Sequence, residues 1–413
     1  MIFETLTFCL IGIAFGMVCG LVPGFHVNLI VPILLSFSFL VKNPYFLAVL
    51  IVSTSITEIF MNFIPSIFLG APDEDTSLSI LPGHRLLLEG RGYEAIRLTV
   101  LGGVLSLILS LVFISAFGNV FTYLYEISRP YVHYLITFVV ILMIASEKKW
   151  KKIFYSILII FLSGFLGVIT LNSSLVPQQD ALFPILTGLF GLSTLILSLS
   201  ERAFIPKQEE DSNLKISNFR IIKSVILGCF AGIIVGLLPA IGVSQAATLV
   251  QYLSKTNDER SFLITVSGIN VGNEVFSLVN LFLVGNPRSG SSVAVQRVLT
   301  ELNFYDILYL IGSICFSAGI ASGLTLLLGK KISKFLEKLN YRKLCISILL
   351  FISTIIFLIT GTFGLLIAFA STSIGLLCAR LEIKRSHCMG CLLIPSILYF
   401  SGLSPLVLSF LKI

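Results

Sequence analysis

Charge is what this chain has least of. Asp, Glu, Lys and Arg make up 12% of its 413 residues, about half the share in ordinary soluble domains. With a mean hydropathy of +1.00, that shortage excludes a soluble globule. Histidine is nearly as scarce. His26, His84, His133 and His387 are the four, they form no recognisable motif, and no nucleophile stands paired with a base. An intramembrane enzyme is therefore disfavoured. No Walker A sequence is present, so ATP-driven transport by the chain itself is not expected. The eight cysteines lie scattered, mostly within apolar runs, and imply no disulfide framework. His387-Cys388-Met389-Gly390-Cys391 contains a C-x-x-C, but a closed zinc site needs four ligands and no second Cys/His pair accompanies it. The first residues, MIFETLTFCL, lack a basic leader and a small-residue cleavage site, so they read as a spanning helix.

What fills the chain instead is apolar sequence in runs near twenty residues, the length of a membrane-spanning helix. One series falls near 3–21, 26–41, 45–69, 96–120, 131–146, 152–171 and 181–200. A second falls near 220–238, 240–253, 261–285, 305–329, 343–360, 361–378 and 389–411. The expectation is an all-α polytopic membrane protein, with a first repeat over 1–200, a cytoplasmic linker over 201–219 and a second repeat over 220–413. Each repeat would hold about seven membrane segments, some of them Pro/Gly-broken or re-entrant. The net charge of +7 sits in loops and reports topology, not nucleic-acid binding. The loops around Lys149, Lys334, Lys384 and the linker are basic, which places them in the cytoplasm. Segments 96–120 and 305–329 then run in opposite directions, the mark of inverted-topology repeats with both termini outside. Lys42 falls on the wrong side of this scheme.

The repeat is visible residue by residue. Gly12, Gly16, Gly20 and Pro23 recur as Gly228, Gly232, Gly236 and Pro239, each 216 positions later (228 − 12 = 216). Glycines at this spacing let helices pack closely. The prolines, with Gly24 beside the first, break helices, and freed backbone groups are tolerated in a membrane only where protein or a polar cavity meets them. Paired breaks in two halves point to a transporter binding site. Glu58 and Glu274 are also 216 apart and lie inside apolar segments, with Asn62 near the first and Asn270 and Asn273 near the second. A carboxylate at membrane depth is costly, and it either serves a substrate or cation or is neutral and hydrogen-bonded to a neighbouring helix. A second pair of breaks follows each acid. Pro72 precedes Asp73-Glu74-Asp75, and Pro287 precedes Arg288-Ser289-Gly290-Ser291-Ser292. The basic, hydroxyl-rich loop suits an anion. Asp73 to Asp75 read equally as a solvated helix cap.

At these residues the sequence resembles the TctA-like permeases, the large membrane subunits of tripartite tricarboxylate transporters. The resemblance rests on GLVPG at 20–24, GAP at 70–72, LPGHRLLLEGRG at 81–92, GLLPAIG at 236–242, GNPRSG at 285–290 and GLLCARLE at 375–382. It implies a transporter fold and a carboxylate-type substrate. The chain departs from the family at Phe25, Ala240, Asp73 and Arg288, and it is shorter than typical members, which leaves the substrate open.

The reading is a cell-membrane, multi-pass secondary transporter, not an enzyme. It would move a small anionic carboxylate by alternating access, coupled to H+ or Na+, with no other cofactor. Pro23, Gly24, Asn28, Glu58, Asn62, Pro72, Asp73, Pro239, Ser244, Asn270, Asn273, Glu274, Pro287, Arg288 and Ser289 are the candidate substrate- or ion-binding residues. The alternative is a flippase for an anionic lipid carrier such as a polyprenyl phosphate. Partners would be the small-molecule or lipid-linked substrate and membrane lipid. A homodimer, a small membrane subunit and an extracytoplasmic binding protein are left open, and no nucleic acid is involved.

Overall fold

The computed structural model describes residues 2–22, 41, 43–70, 76, 78, 80–128, 131–147, 149–177, 180–200, 206–209, 214–237, 242–254, 258–285, 287–299, 302–336 and 341–411. Pro23, Gly24, Asn28, Pro72, Asp73 and Pro239 lie outside the described residues. Every described element is helical. In chain order they are α1 (Ile2–Leu21), α2 (Pro44–Met61), α3 (Phe63–Leu69), α4 (Ile80–Leu88), α5 (Gly92–Ser128), α6 (Val132–Ala145) and α7 (Trp150–Asn172). Then come α8 (Leu182–Leu186), a π-helical turn (Thr187–Leu192) and α9 (Ser193–Ser200). The second half holds α10 (Asn218–Leu237), α11 (Val243–Ser254), α12 (Glu259–Val284), α13 (Gly290–Val298), α14 (Phe304–Leu336) and α15 (Tyr341–Arg380). A short 3-10 turn (Arg385–Met389), α16 (Gly390–Phe400) and α17 (Ser404–Leu411) complete it.

Local chemistry sets these boundaries. Asn43 caps α2, its side chain accepting from the Tyr45 amide at 3.0 Å, with Pro44 at the first helical position. Asp258 caps α12 in the same way through the Ser261 amide. Both acid-bearing stretches end on left-handed glycines, Gly70 after α3 and Gly285 after α12. Eight of the described helices are long and apolar enough to cross a bilayer. The run at 240–253 is the 12-residue α11, only about 18 Å long against the roughly 30 Å of a hydrocarbon core. The runs at 343–360 and 361–378 form one 40-residue element divided at Gly361, whose φ of 68° and ψ of −164° interrupt the helix.

Glycine contacts fix the central packing. A Cβ on Gly16 would collide with the Thr54 carbonyl oxygen and lie 2.6 Å from Thr57 Cβ. One on Gly232 would lie 2.8 Å from the Gly272 Cα. In this way α1 runs parallel to α2, and α10 parallel to α12, in the close packing that small residues permit. In the same two halves α5 lies on α12 and α14 on α2. The helix carrying Glu58 (residues 44–69) and α12 are each 94% buried in their most apolar window, against at most 56% for the other spans. These two helices are the centre of the bundle.

Helix directions follow from side-chain contacts. Tyr309 near the start of α14 hydrogen-bonds Thr5 at 2.6 Å and packs edge-on to Tyr45, so α1, α2 and α14 begin at one end. At the other end Glu94 at the start of α5 meets Arg260 at the start of α12, and Arg220 at the start of α10 lies 3.9 Å from Asp258. The start of α5 meets the late part of α14, where Ile96 packs on Gly329. The two helices are antiparallel.

The described parts of the linker dock on the bundle. Gln208 is buried, accepts from the Gly92 amide at 2.9 Å and donates to the Leu87 carbonyl at 3.0 Å. The Glu209 amide donates to the Gly90 carbonyl, and the Lys215 amide donates to Glu94. Glu94 also holds the Arg91 and Arg260 guanidiniums at 2.8 Å and 3.0 Å. One buried carboxylate thus ties α5, the linker and α12 together.

Candidate functional site

Glu58 and Glu274 both lie inside the bundle, 3% and 4% exposed. Burial without partners would be prohibitive for a carboxylate, and each has a hydrogen bond. Asn62 Nδ2 donates to Glu58 Oε1 at 3.2 Å. Ser291 Oγ donates to Glu274 Oε1 at 2.5 Å. The helices that carry the acids, α2 and α12, pack against each other, and α13 packs against α2. A hydroxyl cluster from the second half is therefore seated on the helix that bears the acid of the first.

That cluster is built at the joint after Gly285. Ser289 is the N-cap of α13, and Ser289 and Ser292 form a reciprocal capping box. Ser277 Oγ accepts from the Arg288 and Ser289 amides at 3.0 Å and 2.6 Å. Ser289 Oγ lies 2.8 Å from Ser291 Oγ, which continues the chain of hydroxyls to Glu274.

Of the sequence candidates, Glu58 joins Asn62, and Glu274 joins Ser289 through Ser291. Pro287, Arg288 and Ser289 are half-buried beside them. Asn270 is buried one turn before Glu274, whereas Asn273 is partly exposed. Ser244 is buried near the start of α11, where its carbonyl accepts from Thr248. It heads the helix that lines a separate apolar cleft of about 180 Å³ between α6, α10, α11 and α16. Gln245 is the polar residue in its wall. The end of α10 stands level with Phe276, where Gly236 packs, close to the level of Glu274.

Sequence reading missed Ser277, Ser291 and Ser292 as partners of the acid. The run of hydroxyls after Pro287 was the available signal. It also missed two charged contacts, the Glu94 cluster and the buried pair of His387 Nε2 with Glu147 Oε1 at 3.1 Å. His387 thus serves a carboxylate, and among the described residues no group of three or more His, Cys, Asp or Glu is placed to hold a metal.

Eight potential spans among the described residues, the two most buried of them each carrying a carboxylate, define a multi-pass helical membrane protein. The chain belongs to the tripartite tricarboxylate transporter TctA family, which it matches over residues 6–390. The resemblance carried by the short motifs is thereby borne out. Family members are large subunits of tripartite transporters, which work with other subunits. The uncharacterized protein MJ1079 of Methanocaldococcus jannaschii is 32% identical over 412 residues, covering 96% of this chain and 98% of that one. No solved structure matches.

Proposed function

We propose that the protein is a secondary transporter of a small carboxylate-type anion, driven by a proton or sodium gradient across the cell membrane. The observation that carries this reading is Glu274, a buried carboxylate joined by hydrogen bond to the serine-rich start of α13. Such a group faces a cation, a proton or a substrate at some stage of a transport cycle. The positive dipole end at the start of a half-helix favours an anionic substrate group. Glu58, Asn62, Asn270, Arg288 and Ser289 would complete the site with the four breaks expected at Pro23, Pro72, Pro239 and Pro287. Alternating access would rock two repeats of inverted topology, 1–200 and 220–413, about a pseudo-two-fold axis in the membrane plane. The opposed starts of α1 and α10, and the antiparallel α5 and α14, support that arrangement. The linker end is cytoplasmic in this reading. A small membrane subunit and an extracytoplasmic binding protein are the partners the family name suggests. No catalytic step is assigned.

The test is uptake of labelled di- and tricarboxylates into proteoliposomes, with imposed proton or sodium gradients and without them. Gradient-dependent accumulation of one of them is expected. Its absence for every carboxylate, with any other solute carried instead, rejects the substrate class.

A second reading is favoured by the apolar cleft. A lipid-linked anion would lay its hydrocarbon chain along α10 and α11 and its charged head near Arg288. Depletion that changes the leaflet distribution of a polyprenyl phosphate, with no carboxylate uptake, would select it.

A further inference from the structure

The hydrogen bond between Ser291 and Glu274 crosses a joint in the chain. α12 ends at Val284, Gly285 is left-handed, Pro287 and Arg288 are non-helical, and α13 starts at Gly290. Ser291 is in the first turn of α13 and Glu274 is deep in α12, both almost wholly buried. A hydroxyl donating to a carboxylate at 2.5 Å is a charge-assisted bond, the strong kind. The same hydroxyl is 2.8 Å from Ser289, the N-cap of α13. A serine has one proton to give. While it donates to an ionised Glu274, it is an acceptor for Ser289.

We propose that Ser291 is a positioning residue that relays the occupancy of Glu274 to α13. When Glu274 takes up a proton or a cation, the bond from Ser291 loses its charge assistance and weakens. The hydroxyl chain then rearranges and the start of α13 is released from α12. Gly285 and Pro287 supply the joint about which α13 moves. Because α13 lies against α2, its release is felt on the helix that carries Glu58. The first-half acid accepts from Asn62, one turn along the same segment. Of the charged groups on elements around α12, Glu58 on α2 and Arg288 ahead of α13 belong to the same site. Glu94, Arg85 and Arg260 gather at the opposite end of α12. The inference rests on the reading of Glu274 as the coupling acid.

Hydrogen–deuterium exchange on the purified full chain in nanodiscs tests it without any knowledge of the substrate. Exchange of the α13 amides is measured relative to α10 in the same sample, in alkaline choline buffer, in sodium and at mildly acidic pH. In the parent protein, α13 exchange should rise several-fold in sodium or in acid. Glu274→Gln and Ser291→Ala should each exchange fast under all three conditions. Ser291→Thr, which restores the hydroxyl, should recover the parent response. If Ser291→Ala fails to fold, Glu274→Gln and Ser291→Thr still give the comparison. A cation response in Ser291→Ala equal to the parent's overturns the relay. A parent protein that shows no response at all overturns the coupling role of Glu274, and the relay with it.

Discussion

The Lys330 ammonium lies 6.0 Å from the centre of the Tyr93 ring, within the reach of a cation–π contact. Tyr93 is at the start of α5 and Lys330 is near the end of α14, so one helix arrives where the other departs. Gly92 and Phe304, the first residues of these helices, are 212 positions apart (304 − 92 = 212). Matched helices that run in opposite directions are what an inverted repeat requires.

Single cysteines read this directly. Placed at Lys149 and Lys334 in a background without the native thiols, both should react with an impermeant maleimide only from the cytoplasmic face. Tyr305, exposed at the start of α14, should react only from the other. Opposite sidedness for positions 149 and 334 would remove the inverted arrangement.

The shared 216-residue offset of the glycines was legible because close helix packing repeats in both halves and demands the same small residues. The contacts that differ between the halves were not legible. Glu94 and Arg260 are 166 positions apart, and nothing in their surroundings marks one for the other. Ser291 was visible as a hydroxyl in a loop, yet its bond to Glu274 depends on the angle at Gly285 and Pro287, which residue types do not determine. The run at 240–253, expected as a spanning or re-entrant segment, is largely the short helix α11.

Packed and unpacked glycines give an internal control. Gly16→Ala and Gly232→Ala force a methyl into backbone of the facing helix, and overpacking of this kind costs about 1–3 kcal/mol. Gly319 has nothing within 4 Å of its added Cβ, and alanine is favoured in a helix by roughly 1 kcal/mol. Thermal melting in detergent should fall for the first two variants and hold or rise for Gly319→Ala. Equal effects at all three sites would contradict the packing.

The Glu94 cluster should behave as a buried ion pair. Its side chain is fully buried, against 4% exposure for Arg91 and 17% for Arg260. Glu94→Ala removes the buried carboxylate from both guanidiniums, with Glu209 still 3.4 Å from Arg91, and costs roughly 3–5 kcal/mol. Arg85, 67% exposed in its bridge to Glu259, should cost at most about 1 kcal/mol on removal. Melting temperatures of the two variants provide the comparison, and linker proteolysis should accelerate only in Glu94→Ala.

His84 sets a pH dependence. It is buried on α4, with Nδ1 3.4 Å from the Ile67 carbonyl, and burial lowers its pKa below the ordinary 6.5. The folded state therefore resists the proton that the unfolded chain accepts below about pH 6.5. Stability from the neutral ring is complete above that value and is lost as the pH falls through it. The melting temperature should drop between about pH 7.5 and 5.5, and His84→Gln should drop less over the same interval. An identical decline in both proteins would assign the effect to other groups.

Glu58 and Glu274 carry the sharpest functional prediction. An ionised carboxylate at this depth is held only with a partner, and each acid has a hydrogen-bond donor in place. Glutamine keeps the size of the side chain and its capacity to accept, but it removes the charge that a proton or sodium ion would meet. Gradient-driven uptake should then fall about tenfold or more, as expected when a hydrogen-bonded charge worth roughly 1.5–3 kcal/mol is lost. Substrate exchange across the membrane should survive, because exchange returns each substrate without net movement of the coupling ion. The larger effect belongs to Glu274. It accepts from Ser291 of α13, beyond the non-helical Pro287 and Arg288, whereas Glu58 accepts from Asn62 a single turn along the same segment. Measured side by side, uptake and exchange separate coupling from simple damage: a misfolded variant loses both, and a variant that retains full gradient-driven uptake at both positions shows the two acids to be structural.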